Sequence, residues 1–96
     1  MPELPTGTVT LLFSDIEGST RLWEQSPEAM GRALRRHDEL MRSAIEGSQG
    51  YVFKTVGDAF CAAFTTAKDA VQAAADAQRA LGAERWPDGV VLRDSL

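Results

Sequence analysis

The order of structural elements in this chain follows from the stretch Thr8-Val9-Thr10-Leu11-Leu12-Phe13-Ser14-Asp15-Ile16-Glu17-Gly18-Ser19-Thr20. Its first six residues are apolar or β-branched, which is typical of a buried β-strand, and we expect Asp15 at the C-terminal end of that strand. Gly18 breaks the strand pattern, and Ser19 or Thr20 is expected to cap a short helix. The stretch therefore predicts a strand, a glycine turn and a helix, with a carboxylate at the junction.

A long helix is predicted next. Ser26-Pro27-Glu28 places a serine at the N-cap and a proline at the first helical position. Gly47 is the expected stop. The apolar residues that keep helical spacing between these ends are Met30, Leu34, Met41 and Ile45.

A β-hairpin is predicted after the long helix. Gly50–Val56 has a strand pattern, Gly57-Asp58 fits a tight turn whose first central residue needs positive φ, and Ala59–Phe64 is the returning strand. Strict alternation places Tyr51 and Phe53 on one face of the first strand, and Val52 and Val56 on the other.

The last third of the chain predicts a helix and a final strand. Thr66-Ala67-Lys68-Asp69 resembles a capping box, and the helix that it opens is expected to end at Gly82. A turn is predicted at 86–89 and the start of a strand at Val90–Arg93. The fold class is therefore α+β, ferredoxin-like (βαββα), with an antiparallel sheet and helices on one face. The predicted inward stripe of the helix is Ala67, Ala70, Val71, Ala74, Ala77 and Leu81.

Composition limits the class of protein. A chain of 96 residues, 44% of them apolar, holds one small domain. A net charge of −4 argues against a nucleic-acid surface. The single cysteine, Cys61, is expected to be a small buried hydrophobe. No membrane segment and no signal peptide is recognisable, so we expect a cytoplasmic protein.

Two acids and a lysine carry the candidate chemistry. Asp15 at a strand end and Asp58 at a hairpin tip would meet if the hairpin pairs beside the first strand, and magnesium favours one or two carboxylates with phosphate oxygens. The amides of Glu17–Thr20 begin a helix, whose N-terminus favours phosphate. Taken singly, Asp15 could be a helix cap, Asp58 a turn former and Lys54 a solvated strand residue. Together they indicate a site for a nucleoside triphosphate.

These motifs resemble those of class III adenylate/guanylate cyclase catalytic domains of the bacterial type. Phe13–Thr20 matches the pattern Phe-x-Asp-Ile-Glu-Gly-Ser-Thr, and Leu34–Asp38 and the hairpin Lys54–Phe64 also match. The resemblance extends from Thr8 to about Arg93. It implies that residues 1–96 form the N-terminal portion of such a domain.

The resemblance assigns the site residues. It implies that Asp15 and Asp58 bind two Mg²⁺ or Mn²⁺ ions, with the carbonyl of Ile16 in the metal shell, and that Lys54 selects adenine over guanine. A lysine can donate to an adenine ring nitrogen but offers the guanine edge no acceptor. The turn expected to hold the triphosphate consists of Glu17, Gly18, Ser19 and Thr20.

The resemblance also implies the reaction and the assembly. ATP would be converted to cyclic AMP and pyrophosphate, for intracellular signal transduction, by attack of the ribose 3′-hydroxyl on the α-phosphorus. The site would lie in a head-to-tail homodimer, or in a heterodimer with another cyclase domain, with the carboxylates from one protomer and Lys54 from the other. His37 is not needed as a base and is expected on the helix surface or at the dimer contact.

The sequence leaves alternatives open. The family's domain is longer than this chain, and Asp94-Ser95-Leu96 departs from its pattern, so the chain alone is expected to be a poor cyclase or inactive. It could instead be a degenerate half-domain that binds nucleotide and metal, or that docks to a full-length cyclase, or a truncated product that forms no stable domain. A phosphotransfer nucleophile at Asp15, as in haloacid dehalogenases, fits poorly because that motif requires an aspartate where Glu17 stands.

Overall fold

The predicted order of elements is confirmed. The computed structural model describes residues 7, 9–87 and 90–96, so the predictions for Met1–Pro5, Thr8, Asp88 and Gly89 fall wholly or partly outside the described residues. The sheet has the order β2-β3-β1-β4, and all of its pairs are antiparallel. The elements are β1 (Thr10–Ile16), α1 (Ser19–Gln25), α2 (Pro27–Gly47), β2 (Tyr51–Val56), β3 (Ala59–Phe64), α3 (Ala67–Ala83) and β4 (Asp94–Ser95).

The first strand is longer than predicted. β1 continues past Phe13 to Ile16, and Asp15 lies at its C-terminal end, as predicted. Gly18 is the N-cap of α1 with φ 66°, and no side chain caps this helix, so the prediction that Ser19 or Thr20 caps it is wrong. The left-handed backbone at Gly18, which glycine adopts without strain, turns the chain directly from the strand into the helix.

The ends of α2 are largely as predicted. Ser26 is the N-cap and Pro27 the first helical residue, although the Ser26 side chain makes no capping bond. Gly47 is the last helical residue, but the residue with left-handed backbone is Gln49, at φ 66°. The amide of Gly50 then donates to the carbonyl of Ile45 at 2.8 Å, which closes the helix end and starts β2.

His37 is fully buried, so the prediction of a surface position is wrong. It lies in the middle of the inward stripe of α2, and its ring nitrogens face two carboxylates. Nε2 lies 2.8 Å from both carboxylate oxygens of Asp94, and Nδ1 lies 2.9 Å from Oδ1 of Asp38. Burial lowers the pKa of His37, but its hydrogen bonds and charge attraction to Asp94 and Asp38 outweigh burial and raise it. The buried stripe is Met30, Ala33, His37, Met41, Ala44 and Ile45.

The hairpin has the predicted turn but a different alternation. Gly57 has φ 58°, as the turn requires. The register of β2 against β3 shifts between Val52 and Lys54, so that a bulge at Phe53 breaks the alternation. Val56 therefore pairs with Ala59 and is 56% exposed, and it does not share the inward face with Val52.

The cap of α3 is confirmed, because Oγ1 of Thr66 accepts a hydrogen bond from the amide of Asp69 at 3.1 Å. The inward stripe was only partly right. Val71 is 69% exposed, because it follows the buried Ala70 by one residue and a helix turns about 100° per residue. The buried residues of α3 are Ala70, Ala73, Ala77 and Leu81.

The segment 90–93 is not a strand, which corrects the prediction. Val90 and Leu92 are buried in a cluster with Ile16, Met30 and Ala33, and the paired residues are instead Asp94 and Ser95. A second cluster joins α2, β3 and α3. Both clusters lie on the same side of the sheet, so none of the described helices covers the other face.

The close approach of Gly50 to the core predicts a large effect of a single methyl group. A Cβ at Gly50 would lie 2.5 Å from the Phe64 ring and 2.7 Å from Ile45. We expect Gly50→Ala to lower the free energy of unfolding by about 1–3 kcal/mol through overpacking. Gly31→Ala, a helical glycine with nothing within 4 Å of its Cβ, should instead raise it by about 0.5–1 kcal/mol. Urea unfolding of both variants measures the difference, and equal effects would contradict the packing argument.

Candidate functional site

The open face of the sheet presents side chains from three strands. Phe13 of β1, Cys61 of β3 and Lys54 of β2 are consecutive partners in the register, and side chains of such partners share a face. Leu11, Ala63 and Tyr51 form the neighbouring row. Cys61 is half-buried on this face, so the prediction that it is a buried core residue is wrong. The face is a three-stranded platform without helices.

Asp15 and Asp58 meet at one end of this platform. Asp15 follows Phe13 by two residues on β1 and therefore points to the same face. The β1–β3 register pairs Ser14 with Phe60. If this register is continued by two residues along each strand, the hairpin turn lies beside the end of β1. The Asp15 carboxyl lies close enough to that of Asp58 to raise the pKa of Asp58. The hairpin thus pairs beside the first strand, as the sequence analysis required for a joint site.

Electrostatics at this end of the sheet are unfavourable without a cation. Partial burial of Asp58 raises its pKa, and the neighbouring Asp15 carboxyl raises it further by hydrogen bonding and by charge repulsion. A hydrogen bond from the Ser19 hydroxyl acts in the opposite direction and lowers the pKa of Asp58. Two acids held side by side, with a hydroxyl from α1 against one of them, form a set of hard oxygen donors.

The glycine turn brings backbone amides to the same end. The amide of Leu22 donates to the carbonyl of Gly18, so the amides of residues 18–21 have no partner within α1. The amide of Glu17 donates to the carbonyl of Arg93 at 2.8 Å. Gly18 is therefore the first residue of this turn whose amide could face a ligand. The predicted roles of Ile16, Glu17, Ser19 and Thr20 stay predictions.

Lys54 lies on the platform but away from the acids. It is exposed, and it lies two strands away from Asp15 across the sheet and two residues away along the strand direction. With strands about 4.8 Å apart and residues about 3.3 Å apart, their Cα atoms are separated by roughly 12 Å. In the described part of the chain, Lys54 forms no ion pair with Asp15 or Asp58.

Three further observations concern the rest of the described residues. Among residues 7, 9–87 and 90–96, no three His, Cys, Asp or Glu side chains form a group that could hold a metal ion. A cleft of 610 Å³ lies between α3 and residues 86–87 and 90–93, and none of the predicted site residues lines it. In the described part of the chain, no helix has the length and apolar character needed to cross a membrane.

Sequence reasoning missed one buried polar contact near this site. Asp94 pairs with Ile16 in the sheet and holds His37 on the inward face. The two residues are 57 positions apart, and no local pattern links them. The only signal was the departure of Asp94 from the pattern of the family that the sequence resembles.

Comparison with known proteins identifies relatives. Residues 1–82 match the family described as the adenylate and guanylate cyclase catalytic domain. An adenylate cyclase of Neurospora crassa is 41% identical over 91 residues, which are 95% of this chain and 4% of that protein. An uncharacterised protein of Mycobacterium tuberculosis is 48% identical over 77 residues, which are 78% of this chain and 27% of that protein. The chain thus spans a small part of the relatives it matches.

Solved structures support the same fold. An adenylate cyclase of Trypanosoma brucei, studied in its monomeric state, superimposes with a TM-score of 0.81 at 41% identity, over 88% of this chain and 36% of that one. The guanylate cyclase domain of RhGC from Catenaria anguillulae, in complex with GTP, superimposes with a TM-score of 0.77 at 21% identity, over 90% of this chain and 52% of that one. At that identity the second match shows the fold alone.

Two substitutions that should shift the pKa of Asp58 in opposite directions test the arrangement of Asp15, Asp58 and Ser19. Asp15→Asn removes a neighbouring negative charge, so the pKa of Asp58 should fall. Ser19→Ala removes a donor to the Asp58 carboxylate, so the same pKa should rise. Carbon-13 NMR titration of the Asp58 carboxyl in the metal-free chain measures both. Shifts of the same sign, or no shift in Asp15→Asn, would contradict the contact between the two acids.

Proposed function

The chain belongs to the family of adenylate and guanylate cyclase catalytic domains, and we propose that it supplies the metal-binding and base-selecting side chains of an adenylate cyclase. The observation that carries this proposal is the meeting of Asp15 and Asp58 beside a left-handed glycine turn on an open sheet face. The substrate is ATP, and the products are cyclic AMP and pyrophosphate.

The donor set fits divalent metal. Magnesium takes carboxylate oxygens together with phosphate oxygens and water, and it rarely uses a cage made of protein alone. Asp15 and Asp58 would hold Mg²⁺ or Mn²⁺, and the carbonyl of Ile16 would complete the protein's share of the shell. The raised pKa of Asp58 fits such a site, because a cation removes the repulsion that raises it. Two bound ions would activate the ribose 3′-hydroxyl and neutralise the leaving pyrophosphate.

The chain's own residues then have distinct tasks. The amides of Gly18, Ser19 and Thr20 would receive phosphate oxygens at the start of α1, where the helix dipole favours negative charge. The Ser19 side chain would stabilise the charged form of Asp58, because it lowers the pKa of that carboxyl. Asp15, on the strand β1, would hold its share of the metal from a fixed position in the sheet.

Lys54 has a different role on the same platform, namely recognition of the base. It would donate to the adenine ring, and its ammonium group has no lone pair with which to bind metal. The family's head-to-tail arrangement assigns it to the site of the partner protomer. ATP would be preferred to GTP because the ammonium group can donate to an adenine ring nitrogen but offers no acceptor to the N–H groups of the guanine edge.

The open face supports assembly with a second cyclase domain. Several large apolar side chains remain exposed on or beside the platform, and contiguous exposed apolar surface marks interaction sites. A second protomer facing this platform would cover them and exclude water from the nucleotide. The exposed set is Val9, Leu11, Phe13, Phe53 and Val56.

A binding-only role is the second candidate. Asp94 is buried against His37 where the family pattern has no such acid, and the chain covers 36% of the Trypanosoma brucei adenylate cyclase structure. A chain that binds Mn²⁺–ATP, or docks to a full-length cyclase, without turnover fits these facts. Cyclic AMP formation by this chain in the presence of Mn²⁺ would exclude the binding-only role, although we expect the chain alone to bind ATP with little or no turnover.

Metal-dependent nucleotide binding tests the acids. Asp15→Asn should weaken binding of Mn²⁺–ATP about a hundredfold, because a ligand of the metal is lost. Glu39→Gln makes the same chemical change at an exposed position of α2 and should leave binding unchanged. Isothermal titration calorimetry with Mn²⁺ and ATP measures both variants. Equal affinities of Asp15→Asn and the parent chain would refute the metal assignment.

Base preference tests Lys54. In an assembly that binds ATP, Lys54→Glu should reduce the ratio of ATP to GTP affinity by about tenfold, since it replaces a donor with an acceptor. Lys68→Glu changes the net charge equally at an exposed position of α3 and should keep the ratio. Competition between labelled ATP and GTP gives the ratio directly. A ratio that responds equally to both substitutions would mean that charge alone is being measured.

A further inference from the structure

The buried pair of His37 and Asp94 lies behind the metal-binding end of β1. Both side chains are fully buried, and Nε2 of His37 is 2.8 Å from each carboxylate oxygen of Asp94. Asp94 is the sheet partner of Ile16, and Ser95 is the partner of Asp15. The pair therefore joins α2 to the strand that borders the candidate site.

The strand β4 has few other directional contacts. It has two residues, and α3 adds one bond, from Nε2 of Gln78 to the carbonyl of Asp94 at 3.2 Å. Val90 and Leu92 are buried just before it, but apolar packing is not directional and does not select one register. A slip of one residue would turn Asp94 to the open face and separate it from His37.

We propose that His37 and Asp94 are positioning residues for the metal-binding end of β1. By holding Asp94 on the inward face, His37 sets the register of β4 against Asp15 and Ile16 and keeps the Arg93 carbonyl on the Glu17 amide. The backbone around the metal ligands is thus held from the far side of the sheet. The inference rests on the proposed metal role of Asp15 and Ile16, because positioning has a purpose only if these residues bind metal.

The second partner of His37 provides a matched control. Asp38 faces Nδ1 at 2.9 Å, but it is the next residue of the same helix and cannot restrain β4. Asp94→Asn and Asp38→Asn make the same chemical change on the two sides of one imidazole ring. Only the first is expected to alter the end of β1.

The experiment measures backbone opening and metal affinity in the same variants. The exchange rate of the Glu17 amide reports the bond to Arg93, and amides of α3 report whether the domain stays folded. In Asp94→Asn we expect Glu17 exchange to accelerate about tenfold relative to α3. We expect Mn²⁺ affinity to fall about tenfold, as is typical when a group that supports a metal ligand is lost.

Further variants separate positioning from general damage. Asp38→Asn should change Glu17 exchange by less than about twofold and keep Mn²⁺ affinity. His37→Gln should reproduce Asp94→Asn, and the double variant should be no worse than either single one, because both break the same contact. If Asp94→Asn unfolds the domain, the double variant, which leaves no unpaired buried charge, is compared with the parent chain instead.

Each outcome decides the inference. Unchanged Glu17 exchange in Asp94→Asn and His37→Gln overturns it, and so does faster exchange without loss of Mn²⁺ affinity. Equal effects of Asp38→Asn and Asp94→Asn also overturn it. If the parent chain binds no Mn²⁺, the proposed function itself is overturned. The inferred positioning role is then overturned as well, even if Glu17 exchange accelerates in Asp94→Asn.

Discussion

The antiparallel pairing of β1 with β3 is the contact on which the rest of this structure depends. β1 is an inner strand, with β3 on one edge and β4 on the other. Its register determines which side chains meet the helices and brings the turn at Asp58 beside Asp15. Because side chains alternate along a strand, a slip of one residue would bury Asp15 and expose Ser14. One ladder of hydrogen bonds therefore sets both the core and the candidate site.

The two faces of the sheet differ in how they treat apolar and charged side chains. The inward face is packed by α2 and α3, and the buried polar contact between His37 and Asp94 joins partners of opposite charge. A buried charge is tolerated only when it is paired and hydrogen-bonded, which both carboxylates around His37 provide. The outward face keeps apolar side chains exposed and places two like charges together, a pattern found where a protein binds ligands or partners.

Sequence patterns predicted the local structure where contacts are short in range. The glycine turn at Gly57 needs only its own backbone conformation, and the cap at Thr66 needs only the amide three residues later. The motif around Asp15 and Asp58 was recognisable because its chemistry is concentrated in two short stretches. The failures have a common cause, since the bulge at Phe53 and the burial of His37 depend on neighbours from distant elements.

The sequence by itself determined the element order, the turns and the identity of the candidate ligands, because these follow from propensity and spacing over a few residues. Only the tertiary structure decided that Asp15 and Asp58 lie side by side, that Lys54 shares their face at a distance, and that Asp94 is held by His37. Each of these spatial relations involves residues that are separated by dozens of positions or lie on different strands. Their geometry comes from sheet register and helix packing, which no local pattern of residues specifies.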